Sequence, residues 1–252
     1  MKSPFFSIVI PTFNSEKTLK QTLESIIAQK FEDYEILILD GGSTDGTLLV
    51  PNQFNQSRIF VFDGPDLGTY DAMNKGIRLA KGEWIYFLGS DDILYDEFVL
   101  EIVFKEIQAT ALPVVYGNVK ILGDTGWARD GEIYAGYFSK NRMLKKSICH
   151  QAIFYKREFL AKNDLFFDLR YPVSADWHLN LRCRRLTKFT YVDQIIAVFA
   201  SGGISSTKSD SFPEEIKVEF TDLLPSTAEL YLIKISNRIK VSLRSFIKKL
   251  AF

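Results

Sequence analysis

The chain has few cysteines and no long apolar run. Cys149 and Cys183 lie far apart in its 252 residues, so they form neither a CxxC pair nor the dense cysteine framework of small secreted proteins. No apolar stretch is long enough to cross a bilayer, and the stretch after Met1 is too short for the core of a signal peptide. We therefore expect a protein of a reducing, cytoplasmic compartment.

An excess of charge of either sign is also missing. The chain has 31 Lys and Arg against 31 Asp and Glu, a formal net charge of zero, which argues against nucleic-acid binding through a basic field. Hydrophobic residues make up 46% and charged residues 25%, as in ordinary globular proteins. The length suits one large domain or two small ones.

Apolar runs alternate with helical periodicity over residues 1–110. Strands are predicted at 7–14, 34–40, 58–63 and 83–89, and helices at 15–29, 69–82 and 95–108. Ser15 is placed to cap the first helix, and Gly82 to end the second. Strand, helix and strand in this order give right-handed βαβ units with parallel strands. This pattern predicts an open α/β sheet.

The second half is less regular, with a strand predicted at 113–122 and helical character at 174–186. We predict a domain at 1–210, with halves 1–110 and 111–210, followed by a helical tail at 211–252. Residues 229–252 carry six Lys or Arg and one Glu around an apolar face. Such a basic amphipathic helix often lies on an anionic membrane surface. A helix packed on its own domain is the alternative, and the one-sided charge slightly favours the membrane.

Two adjacent carboxylates, Asp91 and Asp92, follow the apolar run 84–88. Their charges repel each other, and a divalent cation would relieve that repulsion, because Mg²⁺ and Mn²⁺ prefer carboxylate oxygens and bridge them to phosphates. The alternative is that an Asp caps the helix that follows. From these residues alone both interpretations stay open.

Three polar turns follow predicted strands: "PTFN" (11–14), "DGGSTDGT" (40–47) and "GSDD" (89–92). In an open α/β sheet ligands bind outside the carboxyl ends of the strands, so the three turns are expected to converge on one rim. The glycine-rich turn is neither a Walker A loop nor GxGxxG. Asp40 could accept hydrogen bonds from a base or a ribose, although for this segment by itself a tight turn with Asp45 as a cap is the favoured interpretation.

Five segments in order carry a resemblance to a known family: "SIVIPTFN", "DGGSTDGT", "GPDLGTYDAMNKGIRLAKGEWIYFLGSDD", "HQAIFY" and "FDLRYPVSADWHLNLR". Over about residues 5–205 they closely resemble family 2 glycosyltransferases. The sequences of these motifs are similar to those of bacterial members that build surface polysaccharides. The resemblance implies the α/β GT-A fold: a Rossmann-like, mostly parallel central sheet flanked by helices, with an acceptor region towards the C-terminus. The pattern of residues 229–252 adds the expected amphipathic C-terminal helix.

The resemblance also implies a reaction. A sugar would move with inversion from a nucleotide-diphosphate donor to a hydroxyl of a lipid-linked or oligosaccharide acceptor, with Mn²⁺ or Mg²⁺ as cofactor. The enzyme would be peripheral at the inner face of the cell membrane. Pro11, Thr12 and Asp40 would cradle the nucleoside, Asp91 would approach the ribose or diphosphate, and Asp92 would bind the metal. Which of the two adjacent carboxylates lies closer to the metal stays open.

Asp176, in "SADW", matches the position of the family's general base, which would take the proton of the acceptor hydroxyl. The alternative is a first-turn carboxylate of a helix capped by Ser174. His150 could contact phosphate, acceptor or metal, or serve as a structural hydrogen-bonding residue. Lys75 could meet a phosphate or stay solvated, and Trp177 could form an acceptor platform or belong to the core.

The sequence departs from the family pattern at Gly41, where many members have a second acidic residue that contacts the base. UDP-, GDP- and dTDP-linked donors therefore all stay open. A nucleotidyltransferase would show a glycine-rich basic loop after the first strand, which "PTFNSEKT" lacks. A catalytically inactive nucleotide-binding scaffold at the membrane is the remaining alternative, although Asp91, Asp92 and Asp176 are all present.

Overall fold

A computed structural model of the chain describes residues 3–203 and 209–224. The strands are β1 (Phe6–Thr12), β2 (Tyr34–Asp40), β3 (Ile59–Asp63), β4 (Trp84–Phe87), β5 (Ile93–Leu94), β6 (Val114–Leu122), β7 (Ile133–Tyr134), β8 (Ile153–Lys156) and β9 (Thr190–Ala200). The helices are α1 (Leu19–Ile27), α2 (Thr69–Leu79), α3 (Val99–Gln108), α4 (Lys140–Met143), α5 (Arg157–Lys162), α6 (Ala175–Leu186) and α7 (Phe212–Glu219). Short 3-10 turns cover Thr47–Leu49, Pro51–Gln53, His150–Ala152 and Thr221–Leu223.

One sheet runs through the described residues in the strand order β3-β2-β1-β4-β8-β6-β9-β5, with β7 paired to β6. Strands β1 to β4 are mutually parallel, as the βαβ pattern predicts. Strand β8 is antiparallel to both β4 and β6, so β6 and its parallel neighbour β9 point the same way as β1. The predicted halves 1–110 and 111–210 thus share a single, mostly parallel sheet.

Each face of the sheet carries its own hydrophobic core, because successive side chains of a strand point to opposite faces. Phe6, Ile8 and Ile10 of β1 belong to the core that also holds the apolar faces of α1 and α3. Val9 of β1 belongs to the other core, which holds residues of α2, α5, α6 and α7. Gly76 lets α2 approach this face, since a Cβ there would collide with the side chain of Val9. The result is a three-layer α/β arrangement.

The carboxyl ends of the first strands are level with one another. Thr12 is paired with Asp40, and Asp40 with Asp63, so β1, β2 and β3 end together. The convergence of turns on one rim therefore follows from strand register.

Two predicted helix boundaries are wrong. Helix α1 begins at Leu19 rather than after Ser15, and its first residue is preceded by Thr18 without a side-chain cap. The hydroxyl of Ser15 instead faces Ser90, in the turn after β4. Helix α2 ends at Leu79, before Gly82, because Ala80 already has an extended backbone with ψ of 131°.

The segment 209–224 packs into the same core as the rest of the chain. Phe212, Ile216 and Phe220 are almost completely buried there. The predicted boundary at residue 210 therefore falls beside a segment that is integral to the core. The predicted basic helix at 229–252 lies outside the described residues. Within residues 3–203 and 209–224, no helix is both long and apolar enough to span a bilayer.

Candidate active site at the carboxyl rim of the sheet

The loops after β1, β2 and β4 are joined by hydrogen bonds at the rim. The backbone N–H of Ser15 donates to Oγ1 of Thr47 over 2.7 Å, and the Ser15 hydroxyl lies 2.8 Å from that of Ser90. Thr22 Oγ1 donates to the carbonyl of Ser90 over 3.0 Å. The three turns that the sequence placed at strand ends therefore form one connected surface.

Asp40 organises the turn after β2. Its buried carboxylate accepts hydrogen bonds from the N–H groups of Gly42 (3.0 Å) and Ser43 (2.7 Å) and from the Ser43 hydroxyl (2.6 Å). Thr12 Oγ1 lies 3.0 Å from the same carboxylate, and Pro11 and Thr12 are themselves buried. Pro11, Thr12 and Asp40 therefore shape the rim, and the carboxylate of Asp40 is already bonded within its own turn.

A cavity of about 390 Å³ opens beside this turn, between the ends of β2 and β3 and the helix α2. Its charged lining consists of Asp40, Asp63, Asp66, Lys75 and Arg78. Lys75 lies on the cavity wall, where its Nζ donates to the carbonyl of Pro65 over 2.7 Å and lies 3.5 Å from Oδ2 of Asp71.

Asp66 occupies the space over Gly41. A Cβ built on Gly41 would lie 2.6 Å from Oδ2 of Asp66, and Oδ1 of Asp66 accepts the N–H of Gly68 over 2.8 Å. A carboxylate is therefore present beside the turn after β2, although it comes from the loop after β3. Asp66 is not among the residues predicted from the sequence, although it lies in the "GPDLG" segment of a recognised motif.

The two adjacent carboxylates have different surroundings. Asp91 is exposed, whereas Asp92 is 2% exposed and its oxygens accept from Nε2 of Gln151 (2.7 Å) and from the N–H of Ala200 (2.8 Å). Burial and the charge of Asp91 raise the pKa of Asp92 to about 7, and partial desolvation raises the pKa of Asp91. Asp91 is thus the carboxylate open to a ligand, and Asp92 anchors the turn to β9.

The 3-10 turn His150–Ala152 joins this pair to Asp176. Gln151 contacts Asp92, while Nδ1 of the preceding residue, His150, lies 3.8 Å from Oδ2 of Asp176. His150 also acts electrostatically on Asp91, lowering the pKa of that carboxyl against the larger effect of desolvation. Residues predicted from distant motifs are therefore brought to one place.

Asp176 lies in the first turn of α6, and its side chain is largely buried. Oδ1 accepts the N–H of Trp177 over 2.7 Å and lies 3.3 Å from the hydroxyl of Tyr70, while Oδ2 lies 3.5 Å from Oγ of Ser147. The carboxylate is thus surrounded by groups that can hold it in place. Ser174 makes no side-chain cap to α6, contrary to the alternative interpretation of this segment.

Trp177 is held by the protein itself. Its Nε1 donates to the carbonyl of Met143 over 2.6 Å, and its ring packs edge-on against Phe212 with centroids 5.7 Å apart. This placement favours the core interpretation over an acceptor platform.

Similarity to known proteins identifies the family of this chain. The family profile "Glycosyl transferase family 2" matches residues 7–162, more than half of the chain. The chain belongs to this family. It is therefore a glycosyltransferase, as the order of its motifs predicted.

The family 2 glycosyltransferase has relatives of similar length. It is 38% identical over 240 residues to a "PGL/p-HBAD biosynthesis glycosyltransferase" from Mycobacterium bovis (strain BCG / Pasteur 1173P2), covering 91% of this chain and 88% of the relative.

Solved structures are similar to it as well. S. aureus TarS 1-349 in complex with UDP-GlcNAc gives a TM-score of 0.70 at 19% identity, with coverage of 87% of this chain and 66% of that one. The mannosyltransferase PcManGT from Pyrobaculum calidifontis, in complex with GDP-Man and Mn²⁺, gives 0.62 at 18% identity, with coverage of 79% and 57%. These likenesses confirm the predicted GT-A fold.

Proposed function

We propose that this family 2 glycosyltransferase is metal-dependent and inverting, and that it moves a sugar from a nucleotide-diphosphate donor to an acceptor hydroxyl. The observation that carries the proposal is the His150–Gln151 pair, which joins the partly enclosed carboxylate of Asp176 to the rim bearing Asp91 and Asp92. A base and a rim that could hold a diphosphate through a divalent cation, together in one site, are what such a transfer requires.

The donor's nucleoside would occupy the cavity beside β2 and β3. The cavity presents carboxylates for base or ribose groups and the cations Lys75 and Arg78 for an anionic ligand. In this arrangement Asp66 supplies the carboxylate that Gly41 lacks. UDP-, GDP- and dTDP-linked sugars remain the candidate donors, and two similar structures contain UDP-GlcNAc and GDP-Man.

The rim has a donor set that fits a divalent cation. Two adjacent carboxyls with raised pKa values resist carrying two negative charges, and Asp91 is open to solvent. Within the described residues, no group of three or more His, Cys, Asp or Glu could hold a metal by itself. The other ligands would therefore come from the diphosphate and water.

Asp91 is our preferred metal ligand, with Asp92 as its support, because the oxygens of Asp92 are already hydrogen-bonded. When bound, Mn²⁺ or Mg²⁺ would act as a Lewis acid that stabilises the charge of the departing diphosphate. The neighbouring His150, when protonated, could neutralise part of the same negative charge.

Asp176 would accept the proton of the acceptor hydroxyl. Its Oδ2 faces Ser147 and His150, while Oδ1 is occupied by the N–H of Trp177. The activated oxygen would attack the anomeric carbon from the face opposite the diphosphate, which inverts the configuration. Such a base contributes typically about 10²–10⁴-fold to the rate.

The acceptor would be a lipid-linked or oligosaccharide hydroxyl, as in bacterial surface polysaccharide or glycolipid synthesis. The name of the mycobacterial relative, "PGL/p-HBAD biosynthesis glycosyltransferase", supports this class. The basic segment 229–252 would hold the enzyme at the inner face of the cell membrane. Removing it should weaken liposome binding more than it weakens turnover of a soluble acceptor.

The deciding experiment compares the wild type with Asp176→Asn. Thermal shifts with UDP, GDP, dTDP and CDP, each with and without Mn²⁺, should give one metal-dependent stabilisation in both proteins, because ligand binding to the folded state raises Tm. Turnover of that donor should be about 10²–10⁴-fold lower in Asp176→Asn than in the wild type. No shift with any nucleotide would overturn the metal–donor site and favour the inactive scaffold.

A further inference from the structure

The backbone that leads into Asp176 is held by a residue far along the chain. Oδ2 of Asp210 accepts the N–H of Val173 over 2.9 Å and the N–H of Ser174 over 2.8 Å. Its other oxygen, Oδ1, accepts the N–H of Phe212 over 3.2 Å. One carboxylate thus ties the start of α7 to the two residues before α6.

Asp210 takes the place of a local helix cap. Helix α6 begins at Ala175, and the side chain of Ser174 at its N-cap position does not cap the helix. The N–H groups at a helix start need partners from outside the helix. Here the carboxylate of Asp210, 36 residues from Ser174, provides one, and its negative charge also suits the positive end of the helix dipole.

The peptide group between Val173 and Ser174 is held on both sides. The N–H of Ser174 donates to Asp210 over 2.8 Å, and the carbonyl of Val173 accepts the hydroxyl of Tyr70 over 2.8 Å. The Tyr70 hydroxyl also lies 3.3 Å from Oδ1 of Asp176. Helix α2 and the segment before α7 therefore orient the same turn from opposite sides of a single peptide bond.

The ring of Phe212 secures Asp210 in this position. Phe212 is fully buried, with ring centroids 4.9 Å from Tyr171, 5.3 Å from His178 and 5.7 Å from Trp177. At the far end of the segment, Asp222 pairs with Arg185 of the last turn of α6 over 2.6 Å. The segment 209–224 thus contacts both ends of α6, and Asp210 at its beginning holds the two residues before the helix.

We infer that Asp210 is a positioning residue: it orients Asp176 towards the acceptor hydroxyl by clamping Val173 and Ser174. This inference rests on the proposed role of Asp176 as the base. Small displacements of a reacting group can reduce a rate by about 10²-fold, so the clamp acts on kcat more than on donor binding.

The test uses the full chain in three variants. Asp210→Ala removes the acceptor, Asp210→Asn keeps an oxygen that can accept from both N–H groups, and Asp222→Asn weakens the attachment of the same segment at the other end of α6. We expect Asp210→Ala to lower kcat about 10- to 100-fold with the donor KM within about twofold. Asp210→Asn should recover to within about threefold, and Asp222→Asn should stay within about twofold of the wild type.

A second measurement does not depend on turnover. Amide hydrogen exchange at residues 173–174 should accelerate in Asp210→Ala and stay slow in Asp222→Asn. Should Asp210→Ala not fold, Asp210→Ser, whose side chain is too short for both contacts, is expected to show the same loss of kcat and the same faster exchange.

The outcomes separate the two proposals. Wild-type kcat in Asp210→Ala, together with an inactive Asp176→Asn, would overturn the positioning role alone. Equal losses in Asp210→Ala and Asp222→Asn would also overturn it, because they would indicate general loosening of the segment. An active Asp176→Asn would overturn the assignment of the base, whatever the Asp210 variants do.

Discussion

Gln151 donates a hydrogen bond of 2.7 Å from Nε2 to Oδ2 of Asp92, while Oε1 of the same amide has no hydrogen-bond partner among the described residues. The other oxygen of Asp92 accepts the N–H of Ala200. Asp92 is therefore an internal anchor, and Asp91 beside it is the exposed carboxylate of the pair.

This relationship predicts different effects of amide substitutions at the two positions. In Asp92→Asn, a flipped Gln151 amide could accept from the new Nδ2 through its Oε1, while the Asn oxygen keeps the bond to Ala200. We expect this variant to retain metal-dependent donor binding within about tenfold. Asp91→Asn should lose metal dependence, because a charged oxygen ligand is removed.

Calorimetric titration with the nucleotide, with and without Mn²⁺, measures the donor affinity of both variants. Gln151→Leu, which removes the hydrogen bond to Asp92, is a further control. Loss of metal-dependent binding in Asp92→Asn, with binding kept in Asp91→Asn, would assign the metal to Asp92, as the resemblance first implied.

Tyr70→Phe should lower kcat about threefold to tenfold, because it removes the hydroxyl that contacts Val173 and Asp176. Donor affinity should be unchanged, since this tyrosine does not line the cavity beside β2. Steady-state kinetics against donor and acceptor separate the two effects. Tyr171→Phe, which removes a hydroxyl bonded to Glu215 instead, is the matched control. Equal losses in both variants would contradict a specific role for Tyr70.

Gly41→Ala should weaken nucleotide binding several-fold, because its Cβ would displace the carboxylate of Asp66. Asp66→Ala should weaken binding by removing that carboxylate. The double variant should bind like Asp66→Ala alone, since residues in contact have non-additive effects. Isothermal titration of the preferred nucleotide gives all three affinities, and additive losses would show that Asp66 and Gly41 act independently.

The free energy of unfolding should fall in alkaline solution. Burial raises the pKa of Tyr116 to about 12, and it also raises the pKa values of Tyr86 and Tyr155. The unfolded tyrosine ionises near pH 10, so the contribution of neutral Tyr116 is complete below about pH 10 and is lost as pH rises through about 12. Its size is at most about 2.7 kcal/mol.

Urea unfolding at pH 8.5 and near pH 11.5 measures this loss, provided that refolding is reversible at both values. Tyr116→Phe should make the pH dependence smaller, and Tyr137→Phe, at a tyrosine that is 59% exposed, is the matched control. An identical pH dependence in the wild type and Tyr116→Phe would contradict the prediction.

Local patterning predicted much of the fold. Strand β2 occupies the predicted range 34–40, because an unbroken apolar run that is buried on both faces has little alternative to a central strand. The helix boundaries at Ser15 and Gly82 were missed, since capping depends on where a hydroxyl finds its partner, and Ser15 finds Ser90.

The order of the motifs was enough to identify the family and the rim at which Asp40, Asp91 and Asp92 lie. Each motif is continuous in the chain, and the register of parallel strands places their ends at one edge. Asp66, by contrast, was not found, because nothing local to Gly41 indicates that a residue 25 positions later fills its space.

By itself, then, the sequence determined the alternation of strands and helices, the family, and the candidate residues, because these depend on periodicity and on short continuous motifs. Only the tertiary structure decided what each candidate is free to do. Gln151 donates a hydrogen bond to Asp92, 59 positions earlier in the chain. Asp210 accepts one from Ser174, 36 positions earlier, in the backbone that leads into Asp176. Such pairings depend on the tertiary packing of distant segments, and no local pattern in the sequence specifies them.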